Sequence, residues 1–353
     1  MKRIRVLIVE DSDVIRELLQ YIISQDPRLE VAAAVGSAEE AIRILNRVSP
    51  DVISMDIRLP GMNGFEATRK IMSQKPTPIV VVSASVESEE LNITMNALQA
   101  GALTVLEKPV GTTHDDYVAL AERLCTQLAI MSDVKVVSQR GYRTPLKKEK
   151  SQSVVESVPI VHSGVFEMLG IVTSTGGPNA LVLLLNSLGG NFPLPILLVQ
   201  HITASFLEGF VHWLDSVSPF SVVMIRDGEV PSHGKVYVAP ADRHLKVRGG
   251  KLWIDHGDLV CSQRPSGTVL FKSMAEALGP KALGILLTGM GSDGAEGLLA
   301  IREAGGYTIA EDESTAVVYG MPAAAVQIRA VCESLPLSSI APRVLELINS
   351  EKL

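Results

Sequence analysis

The sequence VISMDIRLPGMNG, residues 52–64, is the most informative segment for the fold, because an apolar run ends at an aspartate and a Pro-Gly turn follows. Similar apolar runs occupy residues 5–9, 31–35, 79–82 and 103–106. Amphipathic, helix-like segments lie between and after them, at residues 14–23, 38–48, 64–72, 89–99 and 115–129. Strands that alternate with helices indicate a parallel sheet covered on both faces. Five such units predict a flavodoxin-like α/β domain, whose functional groups lie at the carboxyl ends of its strands.

Ionisable and hydroxyl side chains stand at these strand ends. Glu10 and Asp11 follow the first run and Asp56 follows the third, while Ser83 ends the fourth and Lys108 follows the fifth. Carboxylates that meet at one sheet edge repel each other unless a hard cation lies between them, and Mg²⁺ prefers such oxygens. A carboxylate beside Mg²⁺ can attack phosphorus, and a hydroxyl and an ammonium can bind the phosphoryl oxygens. The pattern therefore predicts a phosphate-accepting carboxylate at Asp56.

The chain is long enough for two domains, and its composition changes between them. With 353 residues, 46% hydrophobic and 20% charged, it is typical of a globular protein with more than one core. Residues from about 132 to 163 are polar and basic without sustained periodicity, which indicates a linker. We therefore expect a first domain over residues 1–125, a linker over 126–163 and a second domain over 164–350.

The second domain shows another α/β pattern. Strand-like runs occupy residues 169–172, 196–199, 221–225, 235–238 and 283–287. The sequence HLKVRGGKLWID, residues 244–255, lies in a Gly/Pro-rich segment and predicts a β-hairpin inserted into a doubly wound parallel sheet.

Bulk properties exclude some classes of function. A net charge of −7 argues against nucleic acid as a partner, and no apolar run has the ~20 residues that a membrane span needs. The first residues, MKRIRVLIVEDSD, lack the features of a signal peptide. Cys125, Cys261 and Cys332 suggest neither a disulfide framework nor a metal site, and we expect them to be buried small hydrophobes. Together these features predict a cytoplasmic protein without membrane insertion.

Three strands of the second domain end in reactive side chains. LGIVTS ends at Ser174, PILLVQH ends at His201, and GILLTGMGSDG carries Asp293 in a Gly-rich turn. If these strands are neighbours, the imidazole can deprotonate the hydroxyl while the carboxylate fixes the imidazole tautomer. Gly176 and Gly177 allow a tight turn from strand to helix whose amides could stabilise an oxyanion. A phosphate or dinucleotide loop at STGG is the alternative, which the lack of a GxGxxG spacing and of a Walker lysine disfavours.

The remaining histidines are weaker candidates. We expect a surface or structural position for the five without a strand-end context, His114, His162, His212, His233 and His256. His244 follows a strand, so a position near the cleft stays open. No HExxH or cysteine-rich spacing supports a zinc site.

The first domain resembles a two-component receiver domain, through IVEDS, MDIRLPGMNG, VVSAS and EKP at the ends of its strands. The resemblance implies Asp56 as the phosphoacceptor and a sensor histidine kinase as the phosphodonor. It implies Ser83 and Lys108 as the switch pair, and a Mg²⁺ ion held by Glu10, Asp11, Asp56 and the carbonyl group of Arg58. Receivers usually carry Tyr or Phe three residues before the lysine, where this chain has Val105, so we expect the aromatic component of the switch to be missing.

The second domain resembles the chemotaxis protein-glutamate methylesterase family from about residue 164 to residue 348. The motifs are STGG, VQH, DRHL, RPS, LLTGMGSDGAEGL and DESTAVVYGMP, in this order. The resemblance implies Ser174 as the nucleophile, His201 as the base, Asp293 as its orienting carboxylate, and oxyanion donors from the backbone near Thr175 and Met290. Three departures leave the triad intact: Thr173 replaces Ala, Ile-Thr replaces Met-Pro after the histidine, and RPSGT replaces RPSVD.

The same resemblance implies an activity and partners. The family hydrolyses methyl esters of glutamates on methyl-accepting chemoreceptors, and many members deamidate receptor glutamines, so phosphorylation is expected to control a monomeric esterase that needs no cofactor for hydrolysis. One alternative is the same chemistry in a chemosensory array outside flagellar motility. Another is a non-catalytic response regulator that binds protein or DNA, which the lack of a basic helix-turn-helix disfavours.

Overall fold

The computed structural model describes residues 3–83, 95–98, 100–109, 114–134, 136 and 166–349. The chain divides into two compact units, Met1–Lys148 and Glu149–Leu353. Of the helix expected at 89–99, residues 95–98 are helical and the others lie outside the described residues, as does nearly all of the expected linker. Among the described residues, no helix combines the length and the apolar character that crossing a membrane requires.

The first unit is built on a five-stranded parallel sheet with the strand order β2-β1-β3-β4-β5. Its strands are β1 Ile4–Val9, β2 Leu29–Val35, β3 Val52–Met55, β4 Ile79–Ser83 and β5 Thr104–Glu107. Its helices are α1 Asp13–Gln25, α2 Ala38–Val48, α3 Gly64–Gln74 and α4 His114–Met131. The flavodoxin-like arrangement predicted from the sequence is confirmed.

Local signals explain where the helices of the first unit begin. The side chains of Ser12, Ser37 and Asn63 each accept a hydrogen bond from a backbone N–H of the first helical turn. The central strands β1, β3 and β4 are almost wholly buried apolar residues, as parallel strands covered on both faces must be. Because β1 and β3 are neighbours, the residues that follow them meet at one edge, where the Asp56 N–H donates to the Val9 carbonyl at 2.9 Å.

The second unit contains a seven-stranded sheet with the order β14-β13-β12-β6-β7-β9-β8, in which every pairing is parallel. Its strands are β6 Met168–Thr173, β7 Ile196–Gln200, β8 Ser221–Met224, β9 Lys235–Val238, β12 Ala282–Leu286, β13 Tyr307–Glu311 and β14 Glu333–Leu335. Its helices are α5 Gly177–Leu188, α6 Ala204–Val217, α7 Gly267–Leu278, α8 Ala295–Glu303, α9 Met321–Gln327 and α10 Leu337–Asn349, and Gly279–Lys281 forms a 3-10 turn.

The predicted hairpin is also present. Strands β10 His244–Arg248 and β11 Lys251–Asp255 pair antiparallel in a sheet of their own, and β10 packs against α7. Gly249 and Gly250, both with positive φ, form the turn between them. The doubly wound sheet with an inserted hairpin is therefore confirmed for the second unit.

One expectation about the cysteines is wrong. Cys125 is buried in α4 as predicted, but Cys332 is half-buried and Cys261 is exposed. Cys261 lies in the irregular segment before α7 and has a φ of 53°, a left-handed conformation that belongs to turns at the surface. The sequence pattern of that segment did not reveal its exposure.

Candidate active site

Three neighbouring strands bring the candidate residues of the second unit to one sheet edge. The central order β12-β6-β7 places Ser174, directly after β6, between the segment after β12 and the residue after β7, His201. Backbone hydrogen bonds continue the pairing past the strands: Ser174 N–H donates to the Thr288 carbonyl and His201 N–H donates to the Thr173 carbonyl, both at 3.0 Å. The positions of Ser174 and His201 are thus set by the main chain.

The turn after Ser174 is closely packed. Gly176 has a φ of 79°, and a Cβ there would lie 2.6 Å from the Val317 Cβ. On the opposite side, a Cβ at Gly289 would lie 2.7 Å from the Ser174 Cβ. Gly176 requires glycine because of its left-handed conformation and its close contacts, and Gly289 requires it because of the close approach of neighbouring atoms. Ser174 itself is half-buried, so its hydroxyl remains within reach of a substrate.

His201 and Asp293 form a hydrogen-bonded pair. The distance from His201 Nε2 to Asp293 Oδ2 is 2.9 Å, and the Asp293 side chain is only 2% exposed. Burial alone would raise the pKa of Asp293, but hydrogen bonds, first of all from His201, hold the pKa of this carboxyl at about 2. An ionised carboxylate can only accept, so His201 Nε2 is the donor in this hydrogen bond, which in the neutral ring leaves the lone pair on Nδ1.

Asp293 receives three further hydrogen bonds from the start of α7. Its Oδ1 accepts from Ser266 Oγ at 2.6 Å and from Thr268 N–H at 3.1 Å, and its Oδ2 accepts from Gly267 N–H at 2.6 Å. The carboxylate thus lies at a helix N-terminus, where unpaired amides and the helix dipole stabilise negative charge. Sequence reasoning missed these donors, although a serine followed by an apolar helical stretch at residues 266–278 is a recognisable N-cap signal.

Gln200 was also missed by sequence reasoning. Its buried side chain donates from Nε2 to the carbonyl of Ser174 at 2.9 Å and to the carbonyl of His201 at 3.0 Å. One amide therefore joins the backbones of the two residues across the sheet edge. Its position at the end of a strand, directly before the histidine, was the available signal.

His244 lies behind this edge. It is 1% exposed, its Nδ1 accepts from Ser266 N–H at 3.1 Å, and its Nε2 lies 2.9 Å from the Asp258 carbonyl oxygen. The structure places His244 close to the candidate site, as the sequence left open, but with its ring buried: two hydrogen bonds, through Ser266, connect the ring to Asp293.

The backbone amides expected to bind an oxyanion have no acceptor among the described residues. Across the described parts of the chain, neither Thr175 N–H nor Met290 N–H donates to a protein atom. Thr175 follows Ser174 directly, and Met290 follows Gly289, which packs on Ser174. An unpaired N–H beside a nucleophile is the feature that stabilises a tetrahedral oxyanion, so the geometry suits acyl transfer.

The first unit carries a second cluster at the edge of its own sheet. Glu10, Asp11 and Asp56 each offer a carboxylate oxygen within 4.8 Å of the others, with Glu10 and Asp56 buried and Asp11 exposed. Lys108 Nζ lies 2.8 Å from Glu10 Oε2 and 3.0 Å from Asp56 Oδ2. Three converging carboxylates with one open to solvent fit a hydrated Mg²⁺ ion, which uses few protein oxygens and keeps several waters.

The charge balance of this cluster supports that fit. Burial raises the pKa of Asp56 even though Lys108 opposes the shift. Burial, followed by repulsion from Asp56, likewise raises the pKa of Glu10. A single lysine does not offset the burial of these carboxylates, so a divalent cation would stabilise them.

The other predicted residues of the first unit lie around the cluster. Ser83 is buried at the end of β4, and its carbonyl accepts from Lys108 N–H at 3.0 Å. A backbone hydrogen bond from Arg58, an exposed residue, opposes the rise in the pKa of Asp56 that burial causes. Val105 is buried in β5. The predicted set is therefore assembled at one edge, and its chemical roles remain predictions.

One unit has clustered acids at the edge of a receiver-type sheet. The other unit of the same chain has a serine, a histidine and an aspartate at the edge of a parallel α/β sheet. These two features together define a class. It is the class of response regulators with an enzymatic output domain. Two family models match accordingly, the response regulator receiver domain over residues 6–117 and CheB methylesterase over residues 169–344.

Known proteins resemble the whole chain. A protein-glutamate methylesterase/protein-glutamine glutaminase 2 of Paramagnetospirillum magneticum is 58% identical over 346 residues, which cover 98% of each chain. A protein of the same descriptive name from Nitrosospira multiformis is 43% identical over 98% of this chain and 97% of its own. The crystal structure of the Thermotoga maritima CheB methylesterase catalytic domain covers 52% of this chain and all of its own, with 36% identity and a TM-score of 0.50. The chain belongs to the CheB methylesterase family.

Proposed function

We propose that this chain is a phosphorylation-activated protein-glutamate methylesterase that demethylates glutamate methyl esters on methyl-accepting chemoreceptors and deamidates specific receptor glutamines. The observation that carries the proposal is the hydrogen-bonded pair of His201 and Asp293 at the sheet edge next to Ser174. The full-length relatives, named as methylesterases and glutaminases, support this substrate class.

The proposed reaction is acyl transfer through Ser174. Its Oγ attacks the carbonyl carbon of the ester while His201 Nδ1 takes the hydroxyl proton, and Asp293 stabilises the imidazolium that forms. The tetrahedral oxyanion accepts hydrogen bonds from the amides of Thr175 and Met290, a contribution of about 3–4 kcal/mol for one such donor.

Collapse of the intermediate breaks the carbon–oxygen bond to the methoxy group. Methanol leaves with the proton held by His201, and an ester between Ser174 and the glutamyl carbonyl remains. A water molecule then attacks this acyl-serine, gives its proton to His201, and releases the glutamate carboxylate and free Ser174. With a glutamine side chain the same steps release ammonia in place of methanol.

Control of the reaction is assigned to the first unit. A sensor histidine kinase transfers phosphate to Asp56, with Glu10, Asp11, Asp56 and the Arg58 carbonyl holding a Mg²⁺ ion. The ion supplies charge neutralisation on the transferring phosphoryl group. Ser83 and Lys108 then bind the phosphoryl oxygens and pass on the signal without an aromatic residue at Val105. We keep residues 1–125, 126–163 and 164–350 as receiver, linker and esterase domain.

The cellular setting follows from these roles. A protein that acts on the cytoplasmic side of receptors is placed in the cytoplasm, as a monomer that binds neither nucleic acid nor membrane. The receptors belong to flagellar chemotaxis or to another chemosensory array, and deletion of each candidate receptor set followed by a motility assay separates the two.

The decisive experiment is a demethylation assay on receptor membranes that carry radiolabelled methyl groups. The purified full-length protein should release labelled methanol, and acetyl phosphate with Mg²⁺ should raise the rate. A protein that releases no methanol under either condition would overturn the esterase assignment. Release that never responds to the phosphodonor would overturn the proposed control and leave the esterase standing.

A further inference from the structure

A chain of hydrogen bonds runs behind the proposed triad. It passes from the Asp258 carbonyl to His244 Nε2 at 2.9 Å, and from His244 Nδ1 to Ser266 N–H at 3.1 Å. It continues from Ser266 Oγ to Asp293 Oδ1 at 2.6 Å, and Asp293 Oδ2 meets His201. His244, Ser266 and Asp293 are between 0% and 2% exposed, so this chain is shielded from solvent.

The hydrogen bonds fix the chemical state of His244. Its Nδ1 accepts from the Ser266 amide, so the ring proton is on Nε2 and is donated to the Asp258 carbonyl. Both nitrogens of the neutral ring are then occupied. His244 therefore cannot serve as a base for the reaction, and within the described residues its hydrogen bonds connect it to the reacting groups through Ser266.

Ser266 is held at three points. His244 accepts from its N–H, its hydroxyl donates to Asp293, and its Oγ accepts from Val269 N–H at 3.4 Å as the N-cap of α7. The last of these is the weakest in geometry. The hydroxyl proton is committed to the carboxylate, which makes the helix start a fixed donor set for Asp293 rather than a capped helix alone.

The orientation of the Asp293 carboxylate decides where the His201 ring stands. A carboxylate held by several fixed donors cannot rotate, and a ring bonded to it keeps both its tautomer and its direction. At metal sites, where a carboxylate likewise orients a histidine, loss of such an outer hydrogen bond typically costs about 10–100-fold in metal affinity or activity.

We propose that Ser266 and His244 are positioning residues of the esterase reaction: Ser266 orients Asp293 through its hydroxyl, and His244 orients Ser266 through its backbone. The proposal rests on the proposed function, because it requires Asp293 and His201 to act on Ser174. It adds two residues that position the reacting groups without contacting the substrate: His244 of the inserted hairpin and Ser266 at the start of α7.

The first test separates orientation of Asp293 from capping of α7. Ser266→Ala removes both the hydroxyl donor and the cap, whereas Ser266→Gly removes the donor and keeps a residue that caps helices nearly as well as serine. In the full-length protein we expect both variants to lose about 10–100-fold in kcat with KM within about twofold. Recovery of wild-type kcat by Ser266→Gly would mean that capping alone explains the residue, and would overturn the proposal.

The second test uses the two ends of the His244 ring. His244→Asn places an amide oxygen near the position of Nδ1 and can still accept from Ser266 N–H, whereas His244→Gln places its amide near Nε2 and keeps only the contact with Asp258. We expect His244→Asn to retain several-fold more kcat than His244→Gln. Equal activity of the two variants would contradict a role for the contact with Ser266.

A ¹H NMR signal can report the orientation of the Asp293 carboxylate directly. The proton between His201 Nε2 and Asp293 should give a downfield ¹H NMR signal, assigned by its loss in His201→Gln. We expect this signal to shift or broaden in Ser266→Gly, and an unchanged signal would overturn the proposal. Ser174→Ala is assayed in parallel: if it keeps activity, the proposed function fails, and if it is inactive while the Ser266 variants match the wild type, only this inference fails.

Discussion

Each unit of the molecule carries a buried aspartate at the carboxyl edge of a parallel sheet, and the pKa values of the two aspartates are shifted in opposite directions. At Asp56, burial outweighs the hydrogen bonds and the ion pair with Lys108, and the pKa is raised. At Asp293, four hydrogen bonds outweigh a similar degree of burial, and the pKa falls to about 2. Neighbours rather than depth therefore decide the state of a buried carboxylate.

The difference suits two chemistries. Asp56 lies beside Glu10 and Asp11, a set of carboxylates that a cation would stabilise, which suits the proposed attack of an Asp56 oxygen on phosphorus. Asp293 accepts four hydrogen bonds and its pKa is lowered to about 2, which suits the proposed role of an ionised partner for His201. Substitutions at either aspartate, or at the residues that act with them, should therefore affect different reactions.

The largest expected effect comes from Ser174→Ala. Removal of the nucleophile should lower kcat by about 10⁴–10⁶-fold, because the oxyanion donors and substrate binding alone cannot replace the acyl-serine route. Labelled methanol release from receptor membranes measures the loss, and Asp56 phosphorylation by acetyl phosphate should continue. Ser216→Ala, at an exposed serine of α6 whose hydroxyl donates to the Trp213 carbonyl, is the matched control and should keep full activity.

Asp293→Asn is expected to be nearly as damaging. The amide keeps the size of the side chain but removes the charge that stabilises the imidazolium, and it can leave His201 in the wrong tautomer, so kcat should fall by about 10³–10⁴-fold. The same change at Asp215, an exposed residue that accepts from Val222 N–H, should leave kcat unchanged. A loss of less than tenfold at Asp293 would show that this carboxylate does not act with His201.

The contrast between the two aspartates also shows what the sequence can and cannot reveal. Ser174 and His201 were predictable because an apolar run that ends in a reactive residue is a local signal, and parallel topology brings strand ends together. The contacts of Ser266 and His244 were not, although the sequence offers an N-cap signal at Ser266 and leaves His244 open, since these hydrogen bonds join residues 22 and 27 positions apart and depend on how the hairpin packs on α7.

The strands missing from the sequence analysis have a related explanation. Residues Glu333–Leu335 form a strand of three half-buried residues, which is too short to give a periodic signal. Tyr307–Glu311 is fully buried but ends in Glu311, an acid that interrupts the apolar pattern. The longer apolar runs were therefore enough to predict the fold class. Strands β13 and β14, at one side of the second sheet, could not be predicted in this way.

Glu311 shows whether the pKa of a buried carboxyl group depends on the unit to which it belongs or on the number of hydrogen bonds that it accepts. It lies in the second unit, yet burial raises its pKa to about 7, since the hydrogen bond from Thr288 N–H at 2.8 Å opposes burial only in part. The folded protein therefore binds the proton more tightly than the unfolded chain, whose glutamate has an ordinary pKa of 4.5. Stability from this group is full below that value and falls as the pH rises toward about 7, by roughly 3 kcal/mol in total.

Glu311→Gln should remove this dependence. At pH 8 we expect the variant to be more stable than the wild type by up to about 3 kcal/mol, and at pH 4.5 the two should agree within about 0.5 kcal/mol. Denaturation of the full-length proteins across this pH range measures the difference. Glu296→Gln, at an exposed carboxylate paired with Lys272, is the control and should show no such trend. A parallel pH dependence of wild type and Glu311→Gln would show that Glu311 titrates normally.

The smallest effect on basal catalysis is expected from Asp56→Asn, the same substitution that should nearly abolish activity at Asp293. Methanol release without a phosphodonor should stay within about twofold of the wild type, because Asp56 has no part in acyl transfer. The activation ratio, measured with and without acetyl phosphate and Mg²⁺, should fall to one, since an amide cannot accept the phosphoryl group. Asp51→Asn is the matched control. This carboxylate precedes β3, at the amino ends of the strands of the same sheet, and accepts from Arg5 N–H, so activation should persist. Activation that survives Asp56→Asn would place the regulatory phosphate elsewhere and would remove the functional half of the contrast between the two aspartates.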